Sequence, residues 1–414
     1  MNFSYLLFIS FLFTLSISAK TYGQGTDHIK TTKLRINPDY ARGGVVSDIF
    51  DSIRYIPLET TKESTFGLIS NLQISTHYFV FNDINTKSIF VFNKQGKFVS
   101  KISTVPQMMP ETKFMFSDFV LNPFNEKIYF PYYRKIDNRR SSKISIAIIN
   151  PTGSVQEVID LDTTLEKSIN YSSFSFIDSN TAIFSTESRD TSVHHYFYEV
   201  KNFKQITRKI APILSTDPFV DYSKNYQNAS RTMGYTIWQR NTDYDYLLSE
   251  GGDFSKYRFI FPKRLSLDSA VYFDTAMMKN GQLLARYIEV MHDKITSIDH
   301  LLKMDNNLSF TLAKGNSNTS HDVFLYGLSS GTLFCLGIVQ PDATNGYLPF
   351  IDTDISEADK DYIYAAVPAY ALFEAKENTA AKHPVYDGQM RQFFATETRK
   401  SNPVIVQLKL KKRL

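Results

Sequence analysis

Residues 78–103 read YFVFNDINTKSIFVFNKQGKFVSKIS. The stretch holds three short aromatic and β-branched runs, and residues of this kind in runs this short favour strands over helices. The runs are separated by polar turns. In the second of these, NKQG (93–96) supplies the Asn and Gly that a hairpin turn needs. The segment is therefore a meander of antiparallel strands.

Moving outward, the same grammar repeats. A second unit runs through FSDFVLNP (116–123), KIYFPYY (127–133) and KISIAIINPTGSVQEVIDL (143–161). A third runs through FSFIDS (174–179), TAIFSTES (181–188) and HHYFYEVKNFKQITRKI (194–210). A strand-rich unit recurring every ~40–55 residues, with four strands in each, marks the blades of a propeller. A lone blade cannot bury both faces of its sheet, so blades pack side by side around an axis. The 33 Phe and 25 Tyr, against one Trp, suit the filling between twisted sheets.

The second half is less regular. Strand grammar fades over 217–257, which reads as a long irregular insert covering one mouth of the channel, with its Tyr residues and Trp238 offered to a ligand. Strands return at 257–262 and 269–290, then at 307–315, 320–339 and 361–375. Residues 384–399 read as a short helix, because Tyr386, Met390 and Phe394 fall at i, i+4 and i+8. The chain closes on NPVIVQLKLK (402–411), a strand, and DSIRYIPLET (51–60) near the start is another. Pairing these two in one sheet would close the ring and remove an open edge. The fold expected is all-β: a propeller of six blades, each of four antiparallel strands, closed by its N- and C-terminal strands.

Three segments resemble the six-bladed β-propeller family of secreted and lipid-anchored proteins of Gram-negative anaerobes. They are Ile56-Pro57-Leu58-Glu59, the hairpin Phe92-Asn93-Lys94-Gln95-Gly96-Lys97-Phe98, and Asn402-Pro403-Val404-Ile405. The resemblance extends over about residues 45–411. It departs where the family has a Gly-rich turn, for Pro106-Gln107-Met108-Met109-Pro110-Glu111 stands there instead. It departs again in lacking a lipobox Cys. The resemblance implies a fold and no particular activity.

Tyr5 to Ala19 is a 15-residue uncharged run. It is short for a membrane span, which needs about 20 apolar residues, and fits the apolar core of a secretory leader. Cleavage after Ala19 would put Ile17 at −3. Cleavage after Gly23 puts Thr21 and Gly23 at −3 and −1 and is preferred. The organisation expected is a leader over 1–23, a linker over 24–44 and one propeller domain over 45–414. Cys335 is the only cysteine, so no internal disulfide forms. Set in an apolar alternation, it reads as a small buried hydrophobe. The expected location is periplasmic or secreted, with no stable membrane span.

The chain has 414 residues, 43% hydrophobic and 21% charged, with a net charge of +4. That balance gives no reason to expect nucleic acid as a partner. Local motifs for chemistry are sparse. Gly327-Leu328-Ser329-Ser330-Gly331 fits G-x-S-x-G, and His383 follows it, but strand sequence on both sides favours a hairpin turn over a nucleophile elbow. Asp352, Asp354, Glu357, Asp359 and Asp361 could offer hard oxygens to Ca²⁺, yet Glu357 occupies the position where an EF-hand needs Gly. A solvated acidic loop is the better reading. His194 and His195 would point to opposite faces of a strand, and His292 and His300 have no third partner nearby. Four Asp-Ser/Thr tripeptides, at Asp51, Asp162, Asp268 and Asp274, resemble O-glycosylation sites. No catalytic, cofactor-binding or metal residue is assigned, and no cofactor is expected. The functional expectation is a monomeric binding module for a glycan, peptide or protein. The alternatives are a propeller enzyme, a lyase or hydrolase with its site scattered over blades, and a scaffold in a surface complex.

Overall fold

The structure, a computed structural model, describes residues 31–109, 118–136, 142–161, 174–185, 197–210, 226–227, 236–240, 245–250, 253–266, 292–314, 322–352 and 355–412. Three strands precede the first full blade: β1 (Thr31–Arg35), β2 (Arg42–Val45) and β3 (Phe50–Pro57). Blade 1 is β4 (Ser70–Ile74), β5 (Tyr78–Asp83), β6 (Ser88–Asn93) and β7 (Phe98–Ile102). Blade 2 is β8 (Val120–Leu121), β9 (Ile128–Lys135), β10 (Ser142–Ile149) and β11 (Val155–Asp160). Blade 3 is β12 (Phe174–Phe176), β13 (Thr181–Ser185), β14 (Phe197–Lys201) and β15 (Gln205–Ile210). Blade 4 is β16 (Tyr226–Gln227), β17 (Thr236–Arg240), β18 (Asp245–Glu250) and β19 (Asp253–Ile260). Blade 5 is β20 (Ile295–Met304), β21 (Asn307–Lys314), β22 (Asp322–Gly327) and β23 (Leu333–Gln340). Blade 6 joins β24 (Glu357–Ala358), β25 (Ile363–Val367) and β26 (Val404–Leu410) to β3 from the other end of the chain.

That last pairing is the expected closure. β26 and β3 run antiparallel with Val404 opposite Pro57, Ile405 opposite Ile56 and Val406 opposite Tyr55. Successive side chains of a strand point to opposite faces, so each inner strand serves two joints. Phe79, Phe81, Phe90 and Phe92 pack toward Tyr364 and Ile405 of blade 6. Val80, Ile89 and Val91, from the same strands, pack toward Phe130 and Ile149 of blade 2. Tyr129 and Ile146 meet Phe174 and Phe184 of blade 3. Phe259 of blade 4 meets Phe310 and Phe324 of blade 5, and Leu325 and Leu336 meet Val404 and Val406 of blade 6. Burial on both faces is why the central strands are apolar almost without interruption.

The turns follow from local chemistry. Asn93 Oδ1 accepts the N–H groups of Gln95 and Lys97, while Gly96 takes φ +80°. Asn150 and Gly153 build the same turn in blade 2, with Gly153 at φ +88°. Asp178 and Asp359 each hold the first hairpin of their blade by accepting two successive N–H groups. Asx turns of this kind mimic a backbone turn.

Several expectations are corrected. The linker read over 24–44 carries β1 and nearly all of β2, laid parallel on outer edges: β1 on β19 of blade 4 and β2 on β23 of blade 5. With β3 on blade 6, the N-terminal segment edges three consecutive blades. The insert near 217–257 is not irregular where it is described, since its strands β16 to β19 make blade 4, and Trp238 lies in β17 opposite Tyr226. Residues 361–375 do not stay extended. After β25, Pro368 caps a helix over Ala369–Asn378, a run of Ala, Leu, Glu and Lys with high helix propensity. The helix expected within 384–399 forms as Gly388–Thr396, capped by Asp387 accepting the Met390 N–H at 2.8 Å.

Candidate functional site

The three segments that carry the family resemblance, far apart in sequence, meet at the joint where the ring closes. Gly96 sits against Pro57, and a Cβ there would lie 2.1 Å from the Pro57 carbonyl oxygen. The Glu59 N–H donates to the Gly96 oxygen at 2.8 Å. Glu59 accepts the Phe98 N–H at 3.0 Å and Lys97 Nζ at 3.2 Å. The Phe98 bond above all, helped by Lys97 and opposed by partial burial, holds the Glu59 carboxyl below the usual carboxylate range. Buried Asn402 donates to the Glu59 and Ser64 oxygens, both at 2.9 Å, and accepts the Phe66 N–H. These motifs are structural: they clasp blade 1 to blade 6.

Beside the clasp, the same joint opens into a cleft of about 300 Å³. Blade 6 presents a polar row across its sheet. Arg54, Gln407 and Tyr364 are register partners on β3, β26 and β25, with Glu357 next on β24. Gln407 Nε2 donates to the Tyr364 hydroxyl at 2.9 Å, and that hydroxyl donates to Asp359 Oδ2 at 2.6 Å. Burial first, and the Asp359 charge after it, push the Tyr364 phenol well above its ordinary value. The β6–β7 turn of blade 1 supplies Lys94 from the opposite wall. Its ammonium lies 4.3 Å from the Phe79 ring centre and 5.0 Å from that of Tyr364, a cation–π arrangement. Its backbone N–H donates to the His77 oxygen at 3.0 Å, tying the turn to the inner hairpin. Burial brings Lys94 down to about 8, against the opposing pull of the Asp359, Glu126 and Glu357 carboxylates. Next to Thr76, His77 Nδ1 lies 2.9 Å from Glu126 Oε2 of blade 2.

A second cleft of about 280 Å³ lies on the outer side of the β6–β7 turn, between Glu59, Gln95, Lys97 and the 388–396 helix with Gln389 and Gln392. Arg54 Nη2, in the first cleft, donates to Gln389 Oε1, in the second, at 3.4 Å.

The residues weighed from sequence fare differently. Ser329 lies in a hairpin turn between β22 and β23, where the Gly327 N–H donates to the Thr332 oxygen and the Gly331 N–H to the Gly327 oxygen. His383 belongs to the helical connection of blade 6, so the two are not set as nucleophile and base on one strand-to-helix turn. Of the acidic loop, Glu357 is buried in β24 and Asp359 is engaged with Tyr364; Asp354 lies outside the described residues. Among the described residues no cluster of three His, Cys, Asp or Glu is placed to hold a metal, and no helix is long and apolar enough to cross a membrane. His194, His195 and the tripeptides at Asp162, Asp268 and Asp274 lie outside the described residues, as does the leader. Asp51 is on β3, and Cys335 is buried in β23 with its thiol pushed up by burial. Sequence reasoning passed over Lys94, Tyr364, Gln407 and Arg54. The one available signal was a lysine inside an otherwise routine turn.

Residues 30–135 match the family described as 6-bladed beta-propeller. A "Putative exported protein" from Bacteroides fragilis, 14% identical, superimposes with a TM-score of 0.56, covering 92% of this chain and 100% of that one. A member of the duf4221 family from Bacteroides vulgatus, 11% identical, gives a TM-score of 0.43, covering 88% of this chain and 98% of that one. No curated protein matches the sequence. The chain is a six-bladed β-propeller, similar over residues 30–135 to the family of that description and in fold to the Bacteroides fragilis protein.

Proposed function

We propose that this protein is an exported binding module that takes a glycan or a peptide in the cleft between blades 6 and 1. One observation carries the reading. Beside the apolar filling of this joint, the register partners Arg54 and Gln407 line an open cleft into which Lys94 and Asp359 also converge, with the buried Tyr364 hydroxyl bonded to Gln407 and Asp359 behind them. Binding sites are concave, with a few convergent polar groups on a preformed wall. Here Tyr362 offers ring surface, while Gln407 and Thr76 offer amide and hydroxyl groups, a combination suited to hydroxyl-rich or amide-rich ligands. Export rests on the apolar run Tyr5–Ala19, and a mature chain should begin at Gln24 on N-terminal sequencing.

The test is thermal denaturation of the mature chain against panels of oligosaccharides and peptides. A ligand at a hundred times its dissociation constant stabilises by about 2.7 kcal/mol. The expected result is a midpoint shift with one class that Gln407→Ala abolishes. A shift that Gln407→Ala and Tyr362→Ala both leave intact would place the site elsewhere. No shift with either panel would refute the reading.

A further inference from the structure

Lys94 is half-buried in a cleft that a small molecule can enter. Among the described residues its Nζ makes no ion pair or hydrogen bond and lies over the faces of Phe79 and Tyr364. The charged and titratable groups around it come from three elements: Asp359 in the β24–β25 turn, Glu357 on β24, and Glu126 from blade 2. Asp359 already accepts the Tyr364 hydroxyl and the N–H groups of Asp361 and Tyr362, so its oxygens are committed within blade 6. Lys94 thus lines the cleft with its amine held against the two rings and bonded to no carboxylate among the described residues.

We propose that Lys94 is a nucleophilic amine that captures an aldehyde or ketone group of the ligand as an imine. The neutral nitrogen attacks the carbonyl carbon, forming a C–N bond, and the carbonyl oxygen leaves as water, taking both protons shed by nitrogen. No oxidant or reductant takes part. A reducing glycan presents such a carbonyl in its open form, so the inference rests on the cleft being a ligand site. Burial favours the neutral amine that this step needs, in keeping with the value of about 8 for Lys94. At pH 7 about a tenth of such an amine is neutral, against fewer than about one in a thousand for an ordinary lysine. Lower basicity takes back part of that advantage, leaving about tenfold in rate.

The experiment uses the mature protein at pH 7 with glycolaldehyde and cyanoborohydride, which reduces an imine to a stable secondary amine. Peptide mass spectrometry then gives the labelling rate of each lysine. Lys94 should label about tenfold faster than exposed lysines such as Lys62, and in urea-unfolded protein the preference should vanish. Lys94→Arg keeps a cation over the rings and should remove the fast-labelled site without lowering the thermal midpoint. Equal rates at Lys94 and Lys62 in folded protein would overturn the proposal. If glycans or peptides still shift the midpoint in that case, the binding reading stands alone. If Lys94 labels fast but neither panel binds, the amine is reactive and the binding reading falls.

Discussion

Replacing Gly96 with alanine tests how the ring is closed. Two costs arise. A residue with a Cβ at φ +80° is strained by about 1–2 kcal/mol. The new Cβ would also lie 2.1 Å from the Pro57 oxygen, which is backbone and cannot swing aside. The turn and β3 must separate, and the bonds from the Glu59 N–H to Gly96 and from the Phe98 N–H to Glu59 are weakened. Losing one neutral and one charge-assisted hydrogen bond adds about 2–4 kcal/mol. Gly153 provides the control. It has nearly the same φ, +88°, in the equivalent turn of blade 2, but a Cβ there would meet side-chain atoms and no backbone: Ser100 Cβ at 3.3 Å, Ser100 Oγ at 3.6 Å and Ile102 Cγ1 at 3.9 Å. Gly153→Ala should therefore cost about 1–2 kcal/mol, and Gly96→Ala about 3–6 kcal/mol. Urea unfolding followed by far-UV circular dichroism gives both from the midpoints, provided the slope is unchanged. If the two variants are equally stable, the contact between the β6–β7 turn and β3 contributes nothing to closure and the account of the clasp is wrong.

Three further outcomes are expected. Asn402→Ala leaves the Ser64 oxygen and the Phe66 N–H without their partner and the Glu59 oxygen with the Ser64 hydroxyl alone; it should cost about 3 kcal/mol in urea unfolding, and Asn402→Asp should not restore it, since a carboxylate cannot donate to two carbonyls. Asp342 is opposed by partial burial but accepts hydrogen bonds from Thr344 and from the Ser47 N–H, which bring it down from 3.8 to about 2. Because its folded value is the lower one, its stabilisation is present above pH 4 and is lost as pH falls toward 2; Asp342→Asn should flatten that part of the stability–pH curve, read as thermal midpoints from pH 5 to 2. Cys335 is buried in β23, so a thiol reagent should react with no group in folded protein and one in urea, and reductant should leave the thermal midpoint unchanged.

The parts of the fold legible in the sequence are those where one local rule dominates. Blade 1 shows itself because its strands are buried on both faces and its turn carries Asn93 and Gly96 at the positions the backbone demands. Blade 4 does not, because β16 is two residues long and β17 and β18 are interrupted by polar residues, TIWQR and DYLLSE. The strands β1 and β2 are missed for another reason: TTKLR and RGGV have no apolar alternation, and they pair with edges supplied by residues more than 200 positions away. The candidate site is the least legible part. Lys94, Asp359, Tyr364, Gln407 and Arg54 come from both ends of the chain and meet only because the ring closes.

The way the N-terminal strands are placed bears on when this molecule can fold. β1, β2 and β3 each complete a sheet whose other strands are made much later, and Asn402 bonds to Thr60 across 342 positions. Contacts of such long range are slow to form. β1 waits for β19, β2 for β23 and β3 for the last strand of all, so a nascent chain stays unclosed, and open to proteases, until its C-terminal strand has emerged. A stop codon anywhere before Val404 would leave β3 without its partner β26, which makes completion of synthesis itself the checkpoint for a closed ring.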